Sequence, residues 1–319
     1  MSIRITKDIS IAARLLTEGK LVAFPTETVY GLGADALNPI AVRRVYEAKS
    51  RPLDHPLIIH VGYNDLIDEF AVDIPNSAMA LVSRFWPGPL TLVLKASEKV
   101  LPIVTGGQDT VAIRCPAHPM AMALLKEFAG GIVGPSANKF GHLSPTKAID
   151  VDNDFGSEVD LILDGDACAV GIESTIVGFD GELPVMLRPG MITRETISTV
   201  ISKEVLDVGP KPPRVPGSLP SHYAPVTKLV LLEADDIRQY LKENAGSHDF
   251  ALLTFESFSE LHPRIRMIIA SRAPKDYAKN LYQWLRELDG VGAKVIIVEA
   301  VPATDAWDGI RDRLGRAAC

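Results

Sequence analysis

Lys49 and Arg51 stand two residues apart in the segment KSRPLDHPL, at the end of a run with helical spacing. Pro52 and Pro56 stiffen the backbone around both cations, and a rigid pair of cations is a preorganised clamp for an anion. The same residues also suit a solvated basic helix end, which the helix macrodipole favours on its own. His60 closes the apolar run that follows, a place where a single histidine also serves as an ordinary structural residue.

Three further groups can carry chemistry. Pro25–Ala36, PTETVYGLGADA, puts the hydroxyls of Thr26 and Thr28 directly after an apolar run, and ligands of open α/β sheets bind at strand ends. Gly31, Gly33 and Ala36 match GxGxxA. The dinucleotide fingerprint needs its first glycine where the strand stops, so this segment reads instead as a glycine-bearing turn leading into a helix. Gly134–Thr146, GPSANKFGHLSPT, combines hydroxyls, an amide and glycine-exposed N–H groups; it suits a phosphate or ribose site and equally an ordinary loop. Thr110 and Arg114 in DTVAIRCP, Ser174 in GIESTIVG and Arg188 in LRPG complete the set. Arginine at a strand end is best used to pair with carboxylate or phosphate. The chain has no GxxxxGK(S/T) P-loop, no HExxH or Cys/His metal set, and no nucleophile elbow. A basic, hydroxyl-rich set without a covalent nucleophile works by holding polyanions and orienting reactants.

The elements that must position these residues follow from periodicity. Leu21–Phe24, Pro56–Val61, Leu90–Leu94, Thr110–Arg114, Ile132–Val133, Val159–Leu163, Ser174–Phe179 and Val185–Arg188 read as strands. Met1–Asp8 also alternates like a strand. Asp8–Glu18, Pro39–Lys49, Pro75–Phe85 and Pro119–Phe128 read as helices, three of them opening on a proline. The result is an α/β fold with a twisted, mixed, open sheet over residues 1–205. Residues 206–226 form a proline-dense linker, a stiff strap rather than a tether. Residues 227–319 alternate strand and helix, which implies a smaller Rossmann-like α/β domain.

Composition narrows the class. The chain has 319 residues, 47% apolar and 23% charged, with no apolar run long enough for a membrane span, and reads as a soluble cytoplasmic protein. Cys115, Cys168 and Cys319 form no CxxC pair, which argues against a zinc or disulfide framework. A net charge of −7 argues against a generic nucleic-acid binder but leaves room for a local cationic pocket.

The ordered motifs PTETVYGLGADA, KSRPLDHPL, WPGPLT, DTVAIRCP, PSAN, SPT, ESTIV and LRPG resemble the YrdC/Sua5 family, and the strap ending HYAP resembles its longer, two-domain Sua5 type. The resemblance implies a nucleotidyltransferase that makes L-threonylcarbamoyladenylate and pyrophosphate from L-threonine, bicarbonate or CO2, and ATP, with Mg2+ on the nucleotide. The product feeds t6A formation in tRNA. It further implies ATP contacts from Lys49, Arg51, His55, Ser136, Asn138, Ser144, Arg188 and Tyr223, with Lys49 and Arg51 stabilising the reacting phosphoryl group. Thr28, His60, Thr110, Arg114, Ser174 and the backbone at Gly134 would hold threonine, and no residue serves as a metal ligand. His55 stands where the family usually has asparagine, and Asp312 where asparagine is expected near the C-terminus. Two other readings are a carbamoyl-adenylate-forming enzyme, whose zinc modules three scattered cysteines cannot build, and a module that contacts double-stranded RNA or tRNA.

Overall fold

The computed structural model describes residues 4–62, 66–210, 212–219, 221–244, 249–258 and 265–319. Positions 1–3 of the expected first strand, and 211 and 220 of the strap, lie outside them. The chain folds as two units, Met1–Phe140 with Ser144–Ser218, and Gly141–Leu143 with Leu219–Cys319.

Short apolar runs make the sheet of the first unit: β1 Ile5–Thr6, β2 Val22–Phe24, β3 Gly31–Asp35, β4 Ile58–His60, β5 Ala71–Val72, β6 Leu90–Ala96, β7 Thr110–Arg114, β8 Ile132–Val133, β9 Leu161–Leu163, β10 Thr175–Asp180 and β11 Leu183–Arg188. Their order is β1-β9-β2-β3-β8-β4-β7-β6-β10-β11, with β5 on β6. The sheet is mixed as expected: β4 is parallel to β7 and β6 to β10, whereas β6–β7 and β10–β11 are antiparallel. The helices are α1 Ile9–Thr17, α2 Pro39–Lys49, α3 Ile67–Phe70, α4 Asn76–Phe85, α5 Pro102–Thr105, α6 Pro119–Phe128, α7 Ala148–Phe155 and α8 Arg194–Ile201. Pro39 and Pro119 occupy first-turn positions, whereas Pro75 caps α4 from outside.

Alternation along the strands separates the two faces. Ala23, Ile59, Leu92, Ile113 and Val177 face a large core with α2, α4, α7 and α8. Their neighbours Val22 and Phe24 face the other way, against α1 and α6. At the centre of that second face, Ile58, Val93, Ala112 and Ile176 form a small apolar patch joined by Val215 of the strap, with Leu187 beside it and no helix residue in the cluster. This buried stretch of sheet is where the polar residues gather.

The expected glycine turn is overturned. Gly31–Asp35 is strand β3, antiparallel to β2 with Phe24 opposite Gly31 and Val22 opposite Gly33. Glycine in a strand marks a close approach, and here the Phe24 ring lies across both glycines. A Cβ at Gly31 would meet that ring at 3.0 Å, and one at Gly33 would meet the Val22 carbonyl oxygen at 2.8 Å. The GxGxxA match is therefore part of an antiparallel pair and not a phosphate-binding βα turn. Helices α7 and α8 were also not anticipated; α8 is capped by Thr193, which accepts from the Thr196 amide at 3.2 Å.

In the second unit, β12 Lys228–Leu232, β13 Phe250–Thr254, β14 Met267–Ile269 and β15 Val295–Glu299 form an all-parallel sheet in the order β12-β15-β13-β14. Helices α9 Ala234–Glu243, α10 Pro274–Asp289 and α11 Asp308–Ala317 accompany it. Asp312, the departure noted above, binds both Arg313 (2.5 Å) and Arg316 (2.9 Å). Asparagine there would remove the negative charge between two cations.

Gly33→Ala forces a Cβ against main-chain oxygen, which cannot yield as a side chain can. We expect a loss of about 1–3 kcal/mol, read as a lower thermal unfolding midpoint by circular dichroism.

Candidate active site

Strand register assembles the first part of the site. His60 ends β4 opposite Arg114, which ends the parallel strand β7. Leu92 of β6 pairs with Ile113, so Thr91 falls beside Arg114. Thr91 in turn pairs with Ile176 of β10, and Ile176 with Arg188 of β11. One row across the sheet thus holds His60, Arg114, Thr91 and Arg188, at the carboxyl ends of β4 and β7. Ser174 enters this row just before β10, its hydroxyl 2.7 Å from that of Thr91. Its carbonyl accepts from Arg188 Nη2 at 2.9 Å.

Thr28 reaches the row from the β2–β3 connection. Thr26 Oγ1 shapes that connection by accepting from the amides of Thr28 and Val29 at 3.1 and 3.2 Å. Arg114 Nη1 donates to Thr28 Oγ1 at 2.8 Å and Nε to the Gly88 carbonyl at 3.2 Å. Gly88 belongs to WPGPLT, and a Cβ there would lie 2.1 Å from the Phe85 carbonyl oxygen. His60 is buried beside the Phe24 ring. Burial, and then the Arg114 charge, push its pKa down to about 3, so the imidazole is neutral. Gly134 lies against it, with room for no side chain: a Cβ would sit 2.8 Å from His60 Nδ1.

Two residues beyond Gly134, the same loop meets the second part of the site. Helix α2 ends in a Schellman turn, with Ser50 in the left-handed region at φ 52°. The Arg51 amide bonds the Tyr46 carbonyl at 2.9 Å. Lys49 turns inward, and its Nζ donates to the carbonyls of Ser136 and Asn138, both at 2.5 Å. Desolvation first, then the Arg51 charge, hold Lys49 well below the ordinary lysine range. Arg51 donates to the carbonyls of His55 (3.3 Å) and Pro56 (2.9 Å) and lies over the Phe140 ring. His55 packs edge-on against Phe140, its pKa lowered by burial and then by Arg51. The loop itself is laced to β3, since Leu32 N bonds Pro135 O and Ala137 N bonds Tyr30 O, at 2.7 and 2.8 Å.

The remaining residues divide. Ser144 donates to Glu173 Oε1 at 2.5 Å, one residue before Ser174. Arg188 Nη1 donates to the Pro216 carbonyl of the strap at 2.9 Å. Thr110 opens β7 while Arg114 closes it, a separation of about 13 Å along a strand. It is therefore not brought to the Arg114 end. Tyr223 belongs to the second unit, at φ 60°. There it packs on His222 and Tyr282 and under the Arg313 guanidinium. Two residues of the site escaped the sequence reading. Thr91 is a buried hydroxyl between the apolar residues of β6. Glu27 is a buried acid in PTETVYG, with Oε1 2.6 Å from Arg114 Nη2. An unbalanced arginine at a buried strand end is the signal that would have asked for it.

Comparison with known proteins places the whole chain among relatives. Residues 14–190 match the Sua5_yciO_yrdC family, described as telomere recombination. Residues 192–319 match the family described as threonylcarbamoyl-AMP synthase, C-terminal domain. A threonylcarbamoyl-AMP synthase of Pyrococcus abyssi is 39% identical, covering 97% of this chain and 93% of its own. One of Bacillus subtilis is 40% identical, over 97% and 92%. The crystal structure of Pyrococcus abyssi Sua5 complexed with L-threonine superimposes with a TM-score of 0.91 at 37% identity, covering 100% of this chain and 98% of that one. A sheet row that sets His60 beside Arg114, a Lys49–Arg51 turn locked to its loop, and full-length relatives lead to one conclusion: this chain belongs to the Sua5/YrdC family, in its two-domain Sua5 form.

Proposed function

We propose that this chain condenses L-threonine, bicarbonate or CO2, and ATP into threonylcarbamoyl-AMP, releasing pyrophosphate. The observation that carries the reading is the loop from Gly134 to Asn138. One end of it packs on His60 beside Arg114, and the other accepts the Lys49 ammonium. An amino acid held at the first end and a nucleotide held at the second would meet along one loop, which converts a three-component reaction into a local one.

Arg114 would hold the threonine carboxylate, with Thr28, Ser174 and the Gly134 backbone around it and His60 as a neutral neighbour. The deprotonated amine attacks carbon to give a carbamate, releasing a proton when the carbon is that of CO2 and water when it is that of bicarbonate. A carbamate oxygen then attacks the α-phosphate as pyrophosphate departs. Negative charge grows on the phosphoryl oxygens, where Lys49, Arg51 and Arg188 would stabilise it. His55, Ser136, Asn138 and Ser144 would line the nucleotide. Thr110, at the far end of β7, fits the nucleotide side better than the threonine side. Mg2+ would arrive with the phosphates and offset their charge. This chain's part would be to bind the complexed nucleotide. No helix among the described residues is long and apolar enough to cross a membrane. We place the reaction in the cytoplasm, with the product passed to the machinery that forms t6A in tRNA.

Three outcomes test this. Pyrophosphate release from ATP and bicarbonate should depend on added L-threonine; release that ignores threonine would end the proposal. Arg51→Ala should cut that release at least tenfold with an unchanged circular dichroism spectrum, since one lost clamp costs on the order of 3 kcal/mol of barrier. The third is a pH effect. Unfolded histidine takes a proton near pH 6.5, whereas folded His60 resists until about pH 3. The stability tied to neutral His60 is therefore complete above pH 6.5 and drains away as pH falls toward 3. Thermal midpoints measured over that window should fall less steeply in His60→Gln than in the parent chain.

A further inference from the structure

Glu27 and Arg114 are a buried pair that no step above uses in full. Their side chains are 9% and 4% exposed, and Oε1 and Nη2 are 2.6 Å apart. Yet neither of these two atoms makes an aligned hydrogen bond among the described residues. A pair built only for stability would be expected to close as a two-pronged fork, with both carboxylate oxygens on the guanidinium. Here the second oxygen, Oε2, accepts instead from the Ala117 amide at 3.0 Å. The Glu27 carbonyl accepts from the Val170 amide at 2.7 Å. Glu27 is thus fixed from two sides independently of Arg114. Arg114 is likewise fixed without Glu27, through Thr28 and Gly88.

The site therefore presents one anion and one cation side by side, each anchored by its other atoms and meeting the other through a single contact that is not an aligned hydrogen bond. We propose that Glu27 binds the α-ammonium of the amino-acid substrate, so that Glu27 and Arg114 read the two charges of a zwitterion. This rests on the assignment of Arg114 to the substrate carboxylate. A carboxylic acid without an amine would meet Glu27 as a like charge, and an amine without a carboxylate would meet Arg114 the same way. Only a molecule carrying both on one carbon satisfies the pair, which gives selectivity by repulsion as well as by attraction. Before substrate arrives, the two residues neutralise one another, so neither charge is buried alone.

The test compares two ligands by calorimetric titration of the full chain: L-threonine, and 2,3-dihydroxybutanoate, which has a hydroxyl in place of the amine. Glu27→Gln should weaken L-threonine at least tenfold and leave the hydroxy acid unchanged within twofold, or tighten it. Equal weakening of both would mean that Glu27 only supports Arg114, and unchanged threonine binding would mean that it does not touch the amine; either result overturns the proposal. Arg114→Ala should weaken both ligands. If it weakens neither, the assignment of the carboxylate to Arg114 fails, and this is read separately from the glutamate result. If the glutamine variant does not fold, Glu27→Asp replaces it. Its shorter arm should lower threonine affinity at least fivefold while sparing the hydroxy acid, and an equal loss counts against the proposal.

Discussion

Everything at this site depends on how four nearly buried cations are accommodated. Lys49, Arg51, Arg114 and Arg188 are each less than a tenth exposed, and a charge removed from water must be met by polar groups or it is prohibitively costly. The described bonds meet these charges largely with main-chain carbonyls: Ser136 and Asn138 for Lys49, His55 and Pro56 for Arg51, Gly88 for Arg114, Ser174 and Pro216 for Arg188. A carbonyl supplies a dipole and no net charge. It satisfies the donor while leaving the positive field in place, which is what a polyanion requires.

That constraint explains the composition of the motifs. A carbonyl can turn toward a side chain only where it is not committed to a helix or a sheet ladder. Proline and glycine interrupt ladders, so segments such as PSAN, WPGP and the stretch from Pro52 to Pro56 are rich in them. The strap follows the same logic. Val215 seals the apolar patch of the sheet while the next residue, Pro216, offers its carbonyl to Arg188. The residue before Val215 is tied by reciprocal bonds, the Arg214 amide to Gln108 Oε1 and Gln108 Nε2 to the Arg214 carbonyl, at 2.7 and 3.1 Å. The first half of the strap is therefore part of the first unit's architecture.

The legible features were local ones. Helix α2 and its two terminal cations follow from Pro39, a 3.6-residue period and the proline after Arg51, and strands β7 and β8 follow from compact apolar runs. Parallel strands alternating with helices also announced the second unit. What escaped were features set by distant partners. Strand β3 is rich in glycine because Phe24, on the neighbouring strand, occupies the space its side chains would take, so by itself the segment looks like a turn. Glu27 finds its partner 87 residues away by number in Arg114, through a register that no single segment encodes. Thr110 and Arg114 looked like one group because they share a strand, but four residues of extended chain put them at opposite ends of it.

A chain of net charge −7 that binds a polyanion is not a contradiction, because net charge acts at long range and is screened, whereas a site is governed by what lies within a few ångströms. Many other charges stand on the surface in exposed pairs, such as Lys95 with Asp73 or Lys294 with Asp249, which add no net charge and contribute little to stability. Inside the site the two buried acids have specific partners: Glu173 accepts from the Ser144 hydroxyl, and Glu27 faces Arg114. Lys49, by contrast, donates to carbonyl oxygens, and the charges that act on it are two cations, Arg51 and Lys139, against one carboxylate, Asp154. The field is thus graded along one loop, balanced where a zwitterion would sit and positive where phosphates would sit. Such a gradient would let the amino acid and the nucleotide occupy neighbouring positions without either entering the other's place.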